Sequence, residues 1–207
     1  MAPTLRPLVV ALLSGLSACS ATSPSEAPRE NTAEEEDRLK ILRDADTNMG
    51  PMEDTATLFI TLDQNLRSWR ELSASGVRED QLKLESLEQA MTRLVYLNFD
   101  AILAALDGDD PEYRVTAAAA LGFSWIPAPD EPGGDPEFPV VHPRAVGPLV
   151  DSLDEGDDAL TQNALLSLAR IGSPETPHAI VLEILVAHHN PQVRSNAGFA
   201  LIRLLTP

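Results

Sequence analysis

The chain has 207 residues, with 32 acidic side chains against 15 basic ones and a formal net charge of −17. That balance opposes binding to phosphate backbones, which needs clustered Lys and Arg to release counterions, and it opposes lying flat on anionic lipid. The length suits one domain of ordinary size, and an aromatic fraction of 4% beside abundant alanine and leucine predicts helices packed through small side chains.

In chain order the first feature is an apolar run from Leu8 to Leu16 that begins just after Arg6 and leads into Ser17, Ala18 and Cys19. A positive start, a short apolar core and small residues before a cut describe a secretory signal, and the run is too short for a hydrocarbon core of about 30 Å. Leu16, Ser17, Ala18 and Cys19 form a lipobox, and the segment resembles the leaders of bacterial lipoproteins. The resemblance implies loss of residues 1–18 and a mature N-terminus at Cys19 carrying acyl chains, palmitate among them. Cys19 is the only cysteine, so no internal disulfide competes for it. Two or three acyl chains anchor durably where one is marginal, so the Cys19 lipid is the only membrane contact expected. Ser20 stands where an aspartate would favour inner-membrane retention in enteric bacteria, which points to the outer membrane of the cell envelope over the inner.

Residues 19–31 are polar and aperiodic and read as a flexible tether. Thr32 and Glu35 have capping-box spacing and open a short helix to about Asp46, which Gly50 and Pro51 break. Leu58, Phe59, Leu62, Leu66, Trp69 and Leu72 recur at helical spacing and predict a helix from about Asp54 to Ala74. Leu84, Leu87, Met91, Leu94 and Val95 predict another from Arg78 towards Leu97. Trp69 lies on the apolar stripe and reads as core. Residues 32–98 form a block of N-terminal helices, either a cap or degenerate repeats.

Residues 99–207 contain an internal repeat. Segments 110–122, 157–169 and 190–202 align without gaps. Asp110, Asp157 and Asn190 then coincide, as do Ala117, Ala164 and Ala197, then Ala120, Ser167 and Ala200, and finally Leu121, Leu168 and Leu201. Asp110 before Pro111 and Asn190 before Pro191 are N-caps followed by proline at the first helical position, where its missing N–H costs nothing. Each segment follows an apolar helix: Phe99 to Leu106, Ala145 to Leu153 and His178 to Val186. The unit is a helical hairpin, and hairpins that cannot bury their faces alone stack into a solenoid.

Asp109, Asp110, Pro111, Glu112, Tyr113, Arg114, Ala117, Ala120, Leu121 and Gly122 resemble the second-helix signature of HEAT repeats. Asn190, Pro191, Gln192, Val193, Arg194, Ala197, Ala200 and Leu201 resemble it again. The resemblance implies an all-α, alpha-alpha superhelix. It also implies a ladder between repeats built from acidic turn residues and the arginines Arg114 and Arg194; Thr161 stands where the middle repeat would have its arginine.

A Pro-rich insertion, 124–142, separates the first two hairpins and carries Trp125, Ile126, Phe138, Val140 and Val141. A loop of this length is functional or disordered unless its apolar residues seal an edge of the array. The repeat register places Val115 and Ala119, Gln162 and Leu166, and Ser195 and Phe199 on the exposed inner face, with Phe123, Arg170 and Arg203 one turn on. Leu166 and Phe199 are apolar where a solvated face would be polar. With Trp125 and Phe138 they are the candidate partner-binding residues.

Catalysis has no support in the motifs: the sequence holds no nucleophile elbow, phosphate loop or His-Glu-x-x-His. Adjacent histidines His188 and His189 would point about 100° apart on a helix and could not chelate as an i, i+4 pair; they fall in the turn before Asn190 and read as a solvated turn, so neither a metal nor any other cofactor is expected there. Asp107, Asp109 and Asp110, and Asp154, Glu155, Asp157 and Asp158, read as caps and solvated turns. The expected function is a lipid-anchored, non-enzymatic HEAT-repeat scaffold that holds a protein partner and binds no nucleic acid. The alternative is a structural or regulatory subunit that takes a small ligand or cation in its acidic turns.

Overall fold

A computed structural model describes residues 51–75, 77–126 and 140–206 of the chain. Cys19, the tether, the capping-box helix and Phe138 lie outside the described residues.

Helix α1 (Thr55–Ser75) packs along α2 (Arg78–Leu97) through Leu58, Phe59, Leu62 and Leu66 on one side and Met91, Leu94 and Val95 on the other. Both begin and end within a residue of where their periodicity places them. Asn98 ends α2: its backbone N–H turns back to the Leu94 carbonyl, its Nδ2 donates to the same oxygen at 2.8 Å, and its Oδ1 accepts from Met52 N at 2.8 Å.

Three hairpins follow: α3 (Phe99–Leu106) with α4 (Pro111–Ala120), α5 (Val146–Asp151) with α6 (Asp158–Ile171), and α7 (His178–Ala187) with α8 (Pro191–Leu205). The inner helices start where the caps dictate. Asp110 accepts from Glu112 N and Tyr113 N, Asp157 from Ala159 N and Leu160 N, and Asn190 from Gln192 N, each through one side-chain oxygen. Gly172, at φ 63°, closes α6 in the left-handed conformation. Packing is sequential: α1 lies on α4, α4 on α6 and α6 on α8, while each outer helix lies on its own inner partner. The fold is therefore all-helical, a stack of hairpins with one continuous apolar core.

The repeated small residues carry the close contacts. Ala117, Ala164 and Ala197 are fully buried, and Ser167, which replaces the alanine of its neighbours, donates its hydroxyl to the Ala118 carbonyl at 2.6 Å. Opposite it is Gly122, in the short 3-10 turn Leu121–Phe123 that ends α4; a Cβ there would lie 2.9 Å from Ser167 Oγ. The backbones approach as they do because neither position carries a large side chain.

The insertion adds one feature that the helical reading lacked. Its stems form a two-stranded antiparallel ribbon, β1 (Trp125–Ile126) with β2 (Val140–Val141), pairing Trp125 with Val141 and Ile126 with Val140. Aromatic and β-branched residues suit such a ribbon. The His142 N–H donates to the Ser124 carbonyl at 2.7 Å and closes its base.

Candidate functional site

The turns between helices bring charged groups of neighbouring hairpins together. At the first junction Arg114, on α4, donates its Nε to the Leu106 carbonyl at 3.0 Å and pairs through its guanidinium with Glu155 of the next hairpin's turn. At the second, Thr161 replaces the arginine and turns its hydroxyl back to the Asp157 carbonyl at 2.9 Å. The rung there has another composition. Asp158, in the first turn of α6, accepts a 2.6 Å hydrogen bond from Asn190 Nδ2 and faces His188 and His189 of the α7–α8 turn. His188 holds the repeat position of Glu155, so the turn residue is now the basic partner and the helix residue the acid. Arg194 serves its own turn, donating Nη1 to the His188 and His189 carbonyls at 2.6 and 3.0 Å.

His188 and His189 do not diverge as the sequence reading has it. Neither is helical: His188 is the C-cap of α7 with extended backbone (φ −63°, ψ 138°), and helical angular spacing no longer applies. Their rings stack at 4.5 Å. Asp158 Oδ1 lies 3.7 Å from His188 Nε2 and 3.4 Å from His189 Nε2, and each of the three residues offers a ligand atom within 4.8 Å of the other two. Tetrahedral zinc with bonds of 2.0–2.1 Å sets its donors about 3.3 Å apart, so the spacing suits a transition metal. Asp158 Oδ1 is buried, and the polar atoms facing it are the two imidazole nitrogens, His189 Nε2 being the nearer. A carboxylate oxygen facing two imidazoles can accept from their N–H groups or, with them, hold a cation. The Asn190 amide holds the Asp158 carboxyl below the usual carboxylate range, opposed by desolvation and helped by the charges of His189 and His188 and by a hydrogen bond from His189. The acid is thus ready to ligate as an anion. His188 Nδ1 accepts from Asn190 N at 3.1 Å, which puts the proton of the neutral ring on Nε2, facing Asp158; ligation through Nε2 would move that proton to Nδ1 at the cost of the bond from Asn190 N. His189 is exposed apart from its stack on His188 and its contact with Asp158.

The second arrangement is a groove of about 560 Å³ on the inner face. Leu166 and Phe199 line it, 41% and 50% exposed, together with Leu66, Trp69 and Phe123. Trp69 is half-buried and serves as wall as well as core: it meets Phe123 edge-on at 5.6 Å and donates Nε1 to Glu88 Oε1 at 2.8 Å. Arg170 covers the Phe123 ring at 4.1 Å and pairs with the same Glu88 oxygen at 2.9 Å. Trp125, in β1 beside α2, is absent from the lining, and Phe138 lies outside the described residues. Of the four candidate partner-binding residues the structure brings together two, Leu166 and Phe199.

No protein-family model matches the chain, and no curated protein matches it in sequence. Among the described residues no helix is long and apolar enough to cross a membrane.

Proposed function

We propose that this chain is a non-enzymatic structural or regulatory subunit of the bacterial cell envelope, a HEAT-like solenoid tethered by lipid at Cys19, which binds a divalent transition-metal ion where its last two hairpins meet. The observation that carries the cation reading is the convergence of the buried Asp158 Oδ1 with the imidazoles of His188 and His189, one ligand atom from each lying within 4.8 Å of the others. Two nitrogen donors and one oxygen favour zinc, nickel or copper over calcium or magnesium, which take oxygen. The ligands come from α6 and from the α7–α8 turn, so the ion joins two repeats and stiffens the array; at a hundredfold excess over its Kd it adds about 2.7 kcal/mol to stability. The lipobox supports the tether, and the repeat signature supports the HEAT-like assignment.

Calorimetric titration of the full chain with zinc chloride tests this. One ion should bind, the melting temperature should rise with it, and both effects should vanish in His189→Ala, which removes an exposed ring whose packing is its stack on His188. Binding of calcium in place of zinc, or zinc binding that survives His189→Ala, would sink the reading.

A second reading, a scaffold for a protein partner, is favoured by the groove in which Leu166 and Phe199 meet.

A further inference from the structure

The groove is unlike the rest of the surface in charge. The chain has twice as many acidic as basic side chains, yet the groove is lined by Arg70, Arg170 and Arg203 and by no carboxylate. A second hollow, between α1 and the start of α4, shows the ordinary mixture: Asp63, Glu112 and Asp157 beside Arg67. The arginines are also ordered by the repeat. Ala119, Leu166 and Phe199 occupy one repeat position, and Phe123, Arg170 and Arg203 occupy the position one helical turn on. An apolar column therefore runs across the inner helices with a column beside it that ends in two cations. Glu88 pairs with Arg170, whereas Arg203 is exposed and has no ion-pair partner among the described residues.

We propose that this groove docks an acidic amphipathic helix of a partner protein. The inference rests on the protein-binding reading and is independent of the cation site. Packed helices lie about 8–10 Å apart, so the column from Ala119 to Phe199 is on the order of 20 Å long, the length of about four turns of a helix laid across it. The apolar stripe of such a helix covers Leu166, Phe199 and Trp69, and acidic residues one turn from the stripe reach Arg203 and Arg170. Charge gives direction and selectivity, because a basic or neutral helix of the same shape leaves the Arg203 guanidinium unpaired.

The test is fluorescence anisotropy of the full chain with three labelled synthetic helices of about 15 residues that share a leucine stripe and carry glutamate, glutamine or lysine beside it. The glutamate peptide should bind, weaken with added salt, and lose about tenfold in affinity in Phe199→Glu and again in Arg203→Glu, with melting temperatures close to the parent's. Preference for the glutamine or lysine peptide, still sensitive to Phe199→Glu, overturns the acidic partner and leaves the groove a protein-docking surface. Binding of dodecyl sulfate below its micellar concentration, with no peptide bound, overturns both in favour of a small amphiphile. Equal binding of all three peptides to Phe199→Glu and the parent shows that the groove is not the site and overturns the proposal.

Discussion

The Asp158 carboxylate accepts a 2.6 Å hydrogen bond from Asn190 Nδ2, and the oxygen of Asn190 caps α8 through Gln192 N at 2.8 Å. One side chain thereby starts its own helix and ties it to the first turn of the helix in the preceding repeat. Where Arg114 and Glu155 make the first junction with opposite charges, this second junction adds an amide, and the other carboxylate oxygen faces His188 and His189.

Asn190→Ala removes the cap and the tie together. Loss of an N-cap alone costs about 1 kcal/mol and up to about 2, so the melting temperature should fall, and urea unfolding should show the change in the midpoint at constant slope. An unchanged midpoint would mean that the inter-repeat bond contributes nothing.

Two glycines should respond to alanine with opposite signs. At Gly122 the new methyl would meet Ser167 Oγ at 2.9 Å and Ser167 Cα at 3.2 Å, and overpacking at a helix contact costs about 1–3 kcal/mol. At Gly198, inside α8, it would meet only Leu185 Cδ1 at an ordinary 3.5 Å, and alanine's better helix propensity should stabilise by up to about 1 kcal/mol. Thermal melts of the two variants decide it, and equal shifts would contradict the close approach at Ser167.

The parts of this fold written in local chemistry were legible in the sequence. Asp110, Asp157 and Asn190 start inner helices, and Ala117, Ala164 and Ala197 sit at buried crossings, because caps and small residues act through their immediate neighbours. Leu166 and Phe199 could be placed in one column for the same reason: the repeat fixes their register. The Asp158 cluster could not be read from His188 and His189 alone: the sequence places them in a turn, but the direction their rings take there and the nearness of Asp158 from the preceding repeat are tertiary. The signal lay in the alignment, where His188 falls at Glu155 and Thr161 at Arg114. Trp125 is not among the residues that line the groove, and periodicity says nothing about which side of the array a ribbon takes.

His142 should leave a trace in the pH dependence of stability. It stacks on Phe99 at 3.6 Å, and burial, with the charge of Arg144, holds its pKa below the ordinary 6.5. The unfolded chain therefore takes up this proton first. Its contribution is complete above about pH 6.5 and is lost as the pH falls towards the folded-state value. His142→Phe should keep the stack and flatten that slice of the stability curve, measured as the difference from the parent in urea unfolding at stepped pH. Parallel curves for the two proteins would contradict the assignment.

Cys19→Ser tests the tether separately from the fold. Metabolic labelling with an alkyne fatty acid should mark the parent and leave the variant unmarked, with the variant moving to the soluble envelope fraction or remaining uncleaved. Equal labelling would end the lipoprotein reading and leave the helical repeats untouched.

The cation site is tested most directly by crystals of the full chain grown with zinc and measured on both sides of the zinc absorption edge. A single anomalous peak bonded to Asp158 Oδ1 and to nitrogens of His188 and His189, at about 2.0–2.2 Å from each, is the result the account predicts. A peak elsewhere, at the Cys19 sulfur or among other acidic turns, or no peak with Asn190 still bonded to Asp158, would contradict it.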